Sequence, residues 1–275
     1  MTLNMENAVD AESYIEEEGL AELLPNWPSA KTTDIGVFDS VRMSLEDPLP
    51  PEPDDLVRLH RLIRQRKCFT VLEFGVGYSS IVMADALQKN ERDWNAMDDA
   101  PDVRNRFMFE LFAVDASREF VEYWEDEFPE GLRDRIDVRY SPVEIGRFNG
   151  LMCHFYQDLP DVVPDMVYLD GPHPMQVEGE VNGLSFGCDE RTVMSGDLLL
   201  MEPTLLPGTF VLVDGRTNNA RFLERNFQRE YEIIEDSTAD VTTFELVEDR
   251  LGGSREVHHE GFDPGKSWRV KYSDE

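Results

Sequence analysis

From Phe69 to Leu246 the chain alternates short apolar runs with amphipathic stretches, and most runs close on a polar residue or a turn. "FTVLEF" (69–74), "MFELFAVD" (108–115), "IDVRYS" (136–141), "DMVYLDG" (165–171) and "TFVLVDG" (209–215) read as strands. Nearly unbroken apolar runs of this length belong to strands covered on both faces. "SSIVMADALQK" (79–89), "SREFVEYWEDEF" (117–128) and "NNARFLERNF" (218–227) read as helices. "SGDLLLMEPTLLPG" (195–208) reads as a helix running into a turn, and "YEIIED" with "VTTFELVED" as a closing antiparallel pair. Strands that alternate with helices imply right-handed crossovers and a mainly parallel sheet.

Upstream, "DDLVRLHRLIRQRKC" (54–68) carries Leu56, Leu59, Leu62 and Ile63 at helical spacing, with Asp54 or Asp55 placed to cap it. Residues 1–53 form an acidic extension with one short helix (Ala11–Leu24) and a proline-rich linker around Pro50, Pro51 and Pro53. We expect a lid or interaction segment there, a main domain over 54–250 and a polar tail over 251–275. No internal repeat is visible.

The bulk numbers narrow the class. With 275 residues and 41% hydrophobic positions, the chain is globular and long enough for a substantial core. No apolar stretch approaches the ~20 residues that span a bilayer, and the N-terminus lacks the parts of a signal peptide. A soluble cytoplasmic protein without a membrane partner is expected. Asp and Glu number 57 against 26 Lys and Arg, a net charge of −31. Only Lys31, Lys67, Lys89, Lys266 and Lys271 are lysines. Such a field repels phosphate backbones, so nucleic acid is disfavoured as a substrate; an acidic, lysine-poor surface also suits high salt. Cys68, Cys153 and Cys188 lack CxxC spacing and read as free thiols rather than a zinc site or a disulfide framework.

In an open α/β sheet, ligands bind beyond the carboxyl ends of the strands. Those ends carry Glu73, Asp115, Ser141, Asp170 and Asp214. After the first strand, Gly75 and Gly77 allow a tight turn and close approach of a ligand. The amides near Ser79 and Ser80, at the start of the next helix, face it. The dinucleotide fingerprint wants a third glycine where Ser80 stands, and Glu73 beside the turn repels a pyrophosphate. Asp115 is placed like an acid that accepts hydrogen bonds from ribose hydroxyls. A ribose without phosphates and with a positive centre nearby describes S-adenosyl-L-methionine (SAM).

"VLEFGVGYSS" resembles motif I of class I SAM-dependent methyltransferases, and "FAVDAS" resembles their second motif. The likeness covers about residues 55–248 and implies a Rossmann-like α/β fold: a mainly parallel seven-stranded sheet with helices on both faces. By that resemblance Glu73, Gly75, Gly77 and Ser79 line the methionine and ribose part of the cofactor. Asp115 holds the ribose, the Ser141–Val143 turn lies at the adenine, and Asp170 also touches the cofactor. The chain departs from the family in "NERDWNAMDDAPDVRNRF", which reads as an inserted, exposed acidic loop.

"YLDGPHP" and "VLVDGRTNN" resemble strand ends of O-methyltransferases that bind a divalent metal, especially sugar-modifying ones. The likeness implies magnesium at Asp170 and Asp214, lowering the pKa of a substrate hydroxyl. Gly215 stands where that pattern has a second Asp or an Asn; Asn218 and Asn219 follow in the next helix. His173, three residues beyond Asp170, is the expected general base, with His154 second. His258 and His259 read as solvated, Arg216 as a partner of Asp214, and Tyr123 and Trp124 as packing. The expected reaction is O-methylation of a small-molecule or sugar hydroxyl, in a protein that can form a homo-oligomer. Two alternatives stay open: a silent SAM-fold interaction protein, and a nicotinamide-dependent Rossmann enzyme.

Overall fold

Each apolar run on a strand sends alternate side chains to opposite faces, so a run buried throughout must be covered twice. In the computed structural model this is what happens to β1 (Thr70–Phe74), β2 (Glu110–Asp115), β6 (Met166–Leu169) and β8 (Phe210–Asp214). Val71, Leu111, Met166 and Leu212 enter one core, and Leu72, Val114, Val167 and Val211 enter the other. The structure describes residues 10–25, 52–101, 103–188 and 190–248. The expected linker prolines Pro50 and Pro51, the tail over 251–275, and His258 and His259 with it, lie outside them.

With β3 (Ile136–Tyr140), β9 (Tyr231–Asp236) and β10 (Val241–Leu246), these strands form one seven-stranded sheet in the order β3-β2-β1-β6-β8-β10-β9. Five strands are parallel, and β10 runs antiparallel to both β8 and β9. The chain leaves β1 towards β2 and β3 and later returns to β6 on the other side, so a crevice opens beyond the ends of β1 and β6. Helices α2 (Pro53–Arg66), α3 (Tyr78–Asn95) and α4 (Arg118–Glu127) feed the first core. Helices α5 (Asp197–Met201) and α6 (Thr217–Asn226) feed the second. Among the described residues no helix is long and apolar enough to cross a membrane.

Four local outcomes differ from the sequence reading. Helix α1 (Ala11–Glu17) and the turn after it are seated in the first core, where Ile15, Leu20 and Leu24 are buried. Helix α2 starts on Pro53 after Glu52, and Asp54 and Asp55 lie in its first turn as partners of the helix dipole rather than as caps. The acidic insertion is helical in its first part, because α3 continues to Asn95 and Trp94 packs edge-on against Phe69 with centroids 5.2 Å apart. Finally, β4 (Val143–Phe148), β5 (Leu151–Tyr156) and β7 (Val177–Glu178) form a separate three-stranded sheet over the second core. Its hairpin turns on Asn149 and Gly150, both at positive φ.

Candidate active site

A cavity of about 480 Å³ opens beyond the carboxyl ends of β1, β2, β6 and β8. Its floor comprises two backbone turns in contact. Gly75 takes φ +124°, a conformation in which a side chain is strained, and donates its N–H to Val114 O at 2.8 Å. Gly171, after β6, is glycine for a different reason. A Cβ there would stand 2.9 Å from the Tyr156 hydroxyl, 3.0 Å from Phe74 O and 3.1 Å from Gly75 N. Gly77 has extended backbone and room for a Cβ, so neither its own conformation nor the surrounding protein demands a glycine.

On the first wall, Glu73 is almost fully buried and accepts hydrogen bonds from the hydroxyls of Ser79 and of Ser80, the latter at 2.5 Å. The carboxylate therefore stitches the β1 end to the first turn of α3, and Ser79 is committed to that contact. Burial pushes Glu73 up to about 8, against the pull of the two serines. Asp115 accepts the Ser117 N–H at 2.6 Å, and burial raises it to about 7. Tyr78, Phe120 and Trp124 form an aromatic side to this wall, with the Tyr78 and Trp124 rings 4.8 Å apart.

The opposite wall holds Asp170, His173, Asp214 and Arg216, and α2 closes the side with Asp55, Leu56 and Leu59. The Asp170 side chain is 55% accessible, because it faces the open cavity. The protein around it still removes much of its solvation and raises its pKa, a shift that Arg216 opposes. Asp214 accepts the buried Tyr168 hydroxyl at 2.6 Å. Burial first, and then the charge of Asp170, lift Asp214 to about 7 against that bond. Arg216 turns to Asp170 more than to Asp214. One Nη donates to Pro172 O at 3.0 Å, the other to Asp170 O, and the Asp170 carboxylate is 3.6 Å away.

His173 caps a short turn. Its own N–H donates to Gln176 Oε1 at 2.8 Å, and its Nδ1 accepts the Met175 N–H at 3.2 Å. A nitrogen that accepts an N–H carries no proton, so the neutral ring keeps its hydrogen on Nε2. His154 is fully buried outside the cavity, and burial followed by the charge of Arg216 drives it down to about 3. Ser141 is also outside and fully buried, where its hydroxyl accepts the Asp158 N–H at 2.9 Å.

The profile of a family described as "Methyltransferase domain" matches residues 72–216, more than half of the chain. The chain belongs to this methyltransferase family. The fold of the methyltransferase, with the antiparallel strand inserted beside β8, is the Rossmann-like class I arrangement. No protein of curated function matches it. Among solved structures it is similar to the O-methyltransferase TomG from Streptomyces achromogenes, involved in tomaymycin synthesis and solved with SAM. Identity is 19%, over 87% of this chain and 99% of that one, with a TM-score of 0.41. The SAH-bound methyltransferase PaMTH1 from Podospora anserina is 14% identical over 90% and 98% of the two chains, at a TM-score of 0.45. A methyltransferase from Geobacter sulfurreducens is 15% identical over 87% and 98%, at 0.44. At these values the likenesses carry nothing beyond similarity.

The cavity of the methyltransferase thus brings together Glu73, Gly75, Gly77, Ser79, Asp115, Asp170, His173 and Asp214, and leaves out Ser141 and His154. A magnesium ion fits poorly at Asp170 and Asp214. Asp170 stands beside a guanidinium, one oxygen of Asp214 is taken by a phenol, and Gly215 supplies no donor. Asn219 is buried with its side-chain oxygen on the Ser195 N–H. Among the described residues no three His, Cys, Asp or Glu side chains are grouped to hold a metal ion. The α2 wall, the Tyr168 phenol and the aromatic wall are the site residues that strand-end reasoning passes over. Their signal in the sequence is slight: Leu56 and Leu59 look like any core stripe, and Tyr168 like any strand residue.

Proposed function

We propose that this methyltransferase moves the methyl group of SAM to a hydroxyl of a small, polyhydroxylated acceptor such as a sugar or glycan precursor. The observation that carries the reading is the two-sided cavity. A glycine turn with Glu73 and Asp115 forms one wall; Asp170, Asp214 and His173 form the other, in contact with it at Gly75 and Gly171. On the first wall, Asp115 accepts the ribose hydroxyls, and Phe120 suits a flat base beside it. Glu73, Gly75, Gly77 and Ser79 shape the turn against which the methionine part lies. When bound, SAM supplies an electrophilic methyl carbon, and the protein's contribution is to align an acceptor oxygen with it.

On the second wall the roles divide. The Nε2–H of His173 makes it a donor to the acceptor oxygen, while Asp170 and Asp214 are the groups able to take up its proton. A carboxyl held near 7 is poised for that work at neutral pH. The charge of the walls favours an acceptor rich in hydroxyls over an anion: the cavity presents Glu52, Asp55, Asp170 and Asp214, and the arms of Arg216 are spent on backbone carbonyls.

The test is calorimetric titration of the full chain with SAM and S-adenosylhomocysteine, followed by label transfer from radioactive SAM to a panel of sugars and phenols. Binding of both ligands is expected, together with transfer that a chelator leaves unchanged. An absence of SAM binding at millimolar concentration overturns the reading. Loss of transfer on chelation, restored by magnesium, overturns the metal-free form of it.

A further inference from the structure

Beneath the Asp170–Pro172 turn lies a concentration of polar atoms that the site itself does not use. His154 Nδ1 and Nε2, the Tyr156 hydroxyl, Arg216 Nε and Asn219 Nδ2 are all buried and have no hydrogen-bond partner among the described residues. They come from three places in the chain that are tied to one another. His154 and Tyr156 lie on β5, their rings 6.2 Å apart. His154 pairs through its backbone with the Met194–Gly196 segment, donating to Met194 O at 2.8 Å and accepting from Gly196 N at 2.9 Å. The Ser195 N–H donates to Asn219 Oδ1 at 2.9 Å, and the Tyr156 N–H to Asp197 Oδ1 at 3.0 Å. The Tyr156 hydroxyl reaches the underside of Gly171. Arg216 spans the layer from above, its two Nη atoms on the carbonyls of Asp170 and Pro172.

A buried polar group without a partner forfeits its hydration, and native proteins do not gather several in one place unless something joins them. The chemistry here is matched to water. Arg216 Nε–H and Asn219 Nδ2–H only donate, whereas a neutral imidazole and a phenol each donate once and accept once. Water, with two donors and two acceptors, links such a set, and ordered internal waters make about 3 bonds each to groups of this kind. His154 held neutral by burial fits the same set.

We propose that ordered water occupies this layer and bonds Tyr156, His154 and Arg216 Nε, so that Tyr156 and His154 are positioning residues. Through Arg216 and its two carbonyl contacts they hold the Asp170–Pro172 turn, and with it the acceptor side of the cavity. The layer itself stands on geometry alone; its bearing on turnover rests on the methyl-transfer reading.

Tyr156→Phe in the full chain tests it, because the variant keeps the ring and removes only the hydroxyl. The thermal midpoint is expected to fall by about 2–4 °C. The amides of Asp170, Gly171 and His173 are expected to exchange about tenfold faster relative to those of β1. Affinity for S-adenosylhomocysteine, held by the other wall and coupled to this turn only through the floor, should weaken by less than the roughly tenfold change in exchange. A midpoint that rises or stays level, with unchanged exchange at the turn, overturns the proposal, since deleting a dry, unpaired hydroxyl costs nothing. Ordered solvent in crystals of the unmodified protein gives an independent check: water within bonding distance of both the Tyr156 hydroxyl and Arg216 Nε is expected, and a dry layer overturns the idea. If the unmodified protein bound no S-adenosylhomocysteine, the methyl-transfer reading would fail while the exchange result at the turn kept its meaning.

Discussion

Gly171 and Gly75 look alike in the sequence and do different work. Gly75 is a matter of φ, whereas Gly171 is a matter of space, with two backbone atoms and a phenol crowding the place of a β-carbon. Gly171→Ala must push apart the two turns of the floor. We expect a loss of about 1–3 kcal/mol in urea unfolding and much weaker SAM binding; an alanine variant with unaltered affinity would show that the floor yields. Asp214→Asn keeps the shape and one acceptor oxygen for Tyr168 but removes the carboxylate. Turnover is expected to fall by about 10²-fold. In the unmodified enzyme, activity should rise with pH through about 7, where Asp214 loses its proton; a profile flat from pH 6 to 8 would remove that residue from the proton step.

At the scale of elements, the strand-end acids were legible because a parallel sheet fixes where strands end, and periodicity alone locates the strands. The second sheet was less so. β4 and β5 are only partly buried, so their runs lack the unbroken apolar character of β1 or β8. The signal they do carry is the Asn149-Gly150 pair, which strand–helix alternation hides. The place of α1 was also illegible, since seven residues with one fully buried side chain in an acidic stretch read as a lid or interaction segment. What fixes it is a polar chain that no local pattern announces. Tyr14 meets His60 Nδ1 at 2.8 Å, His60 Nε2 meets Asp85 at 3.0 Å, and Lys89 joins Asp85 to Glu18, each at 2.7 Å. Burial keeps His60 neutral despite Asp85; burial would also lift Asp85, but the His60 and Lys89 bonds hold it down. The neutral ring then donates to Asp85 and accepts from Tyr14. Since His60 lies on α2 next to Leu59, α1 braces the cavity wall. Tyr14→Phe is expected to cost about 1–2 kcal/mol and to loosen SAM binding; unchanged urea unfolding would show that α1 is a passenger.

Over the whole molecule, two effects of the acids act in the same direction. A net charge of −31 destabilises the compact state by self-repulsion. Separately, Glu73 near 8 and Asp115, Asp197 and Asp214 near 7 have pKa values raised in the fold. A raised group gives stability that is fully present below its unfolded value, about 4, and lost as pH climbs through the folded one. His60 and His154, held neutral by burial, work the other way below about pH 6.5, but they are two groups against four raised acids, and the change at Asp85 falls below about pH 4. The thermal midpoint of the ligand-free protein should therefore rise as pH falls from 8 to 5.5. Molar salt should raise it more at pH 8 than at 5.5, because there is more repulsion to screen. A midpoint that drops on acidification in this range would show that ionised pairs, not buried acids, dominate its stability.

The contact between the Gly75 and Gly171 turns also bears on the order of events in a catalytic cycle. The Asp170 N–H donates to Phe74 O at 3.0 Å, so the cofactor wall and the acceptor wall are tied together at the floor. A ligand that settles the first turn narrows the freedom of the second, and this coupling is reciprocal. Steady-state patterns should then show synergy: each substrate lowers the apparent KM of the other, and S-adenosylhomocysteine left behind after transfer retains fresh acceptor in a dead-end ternary complex.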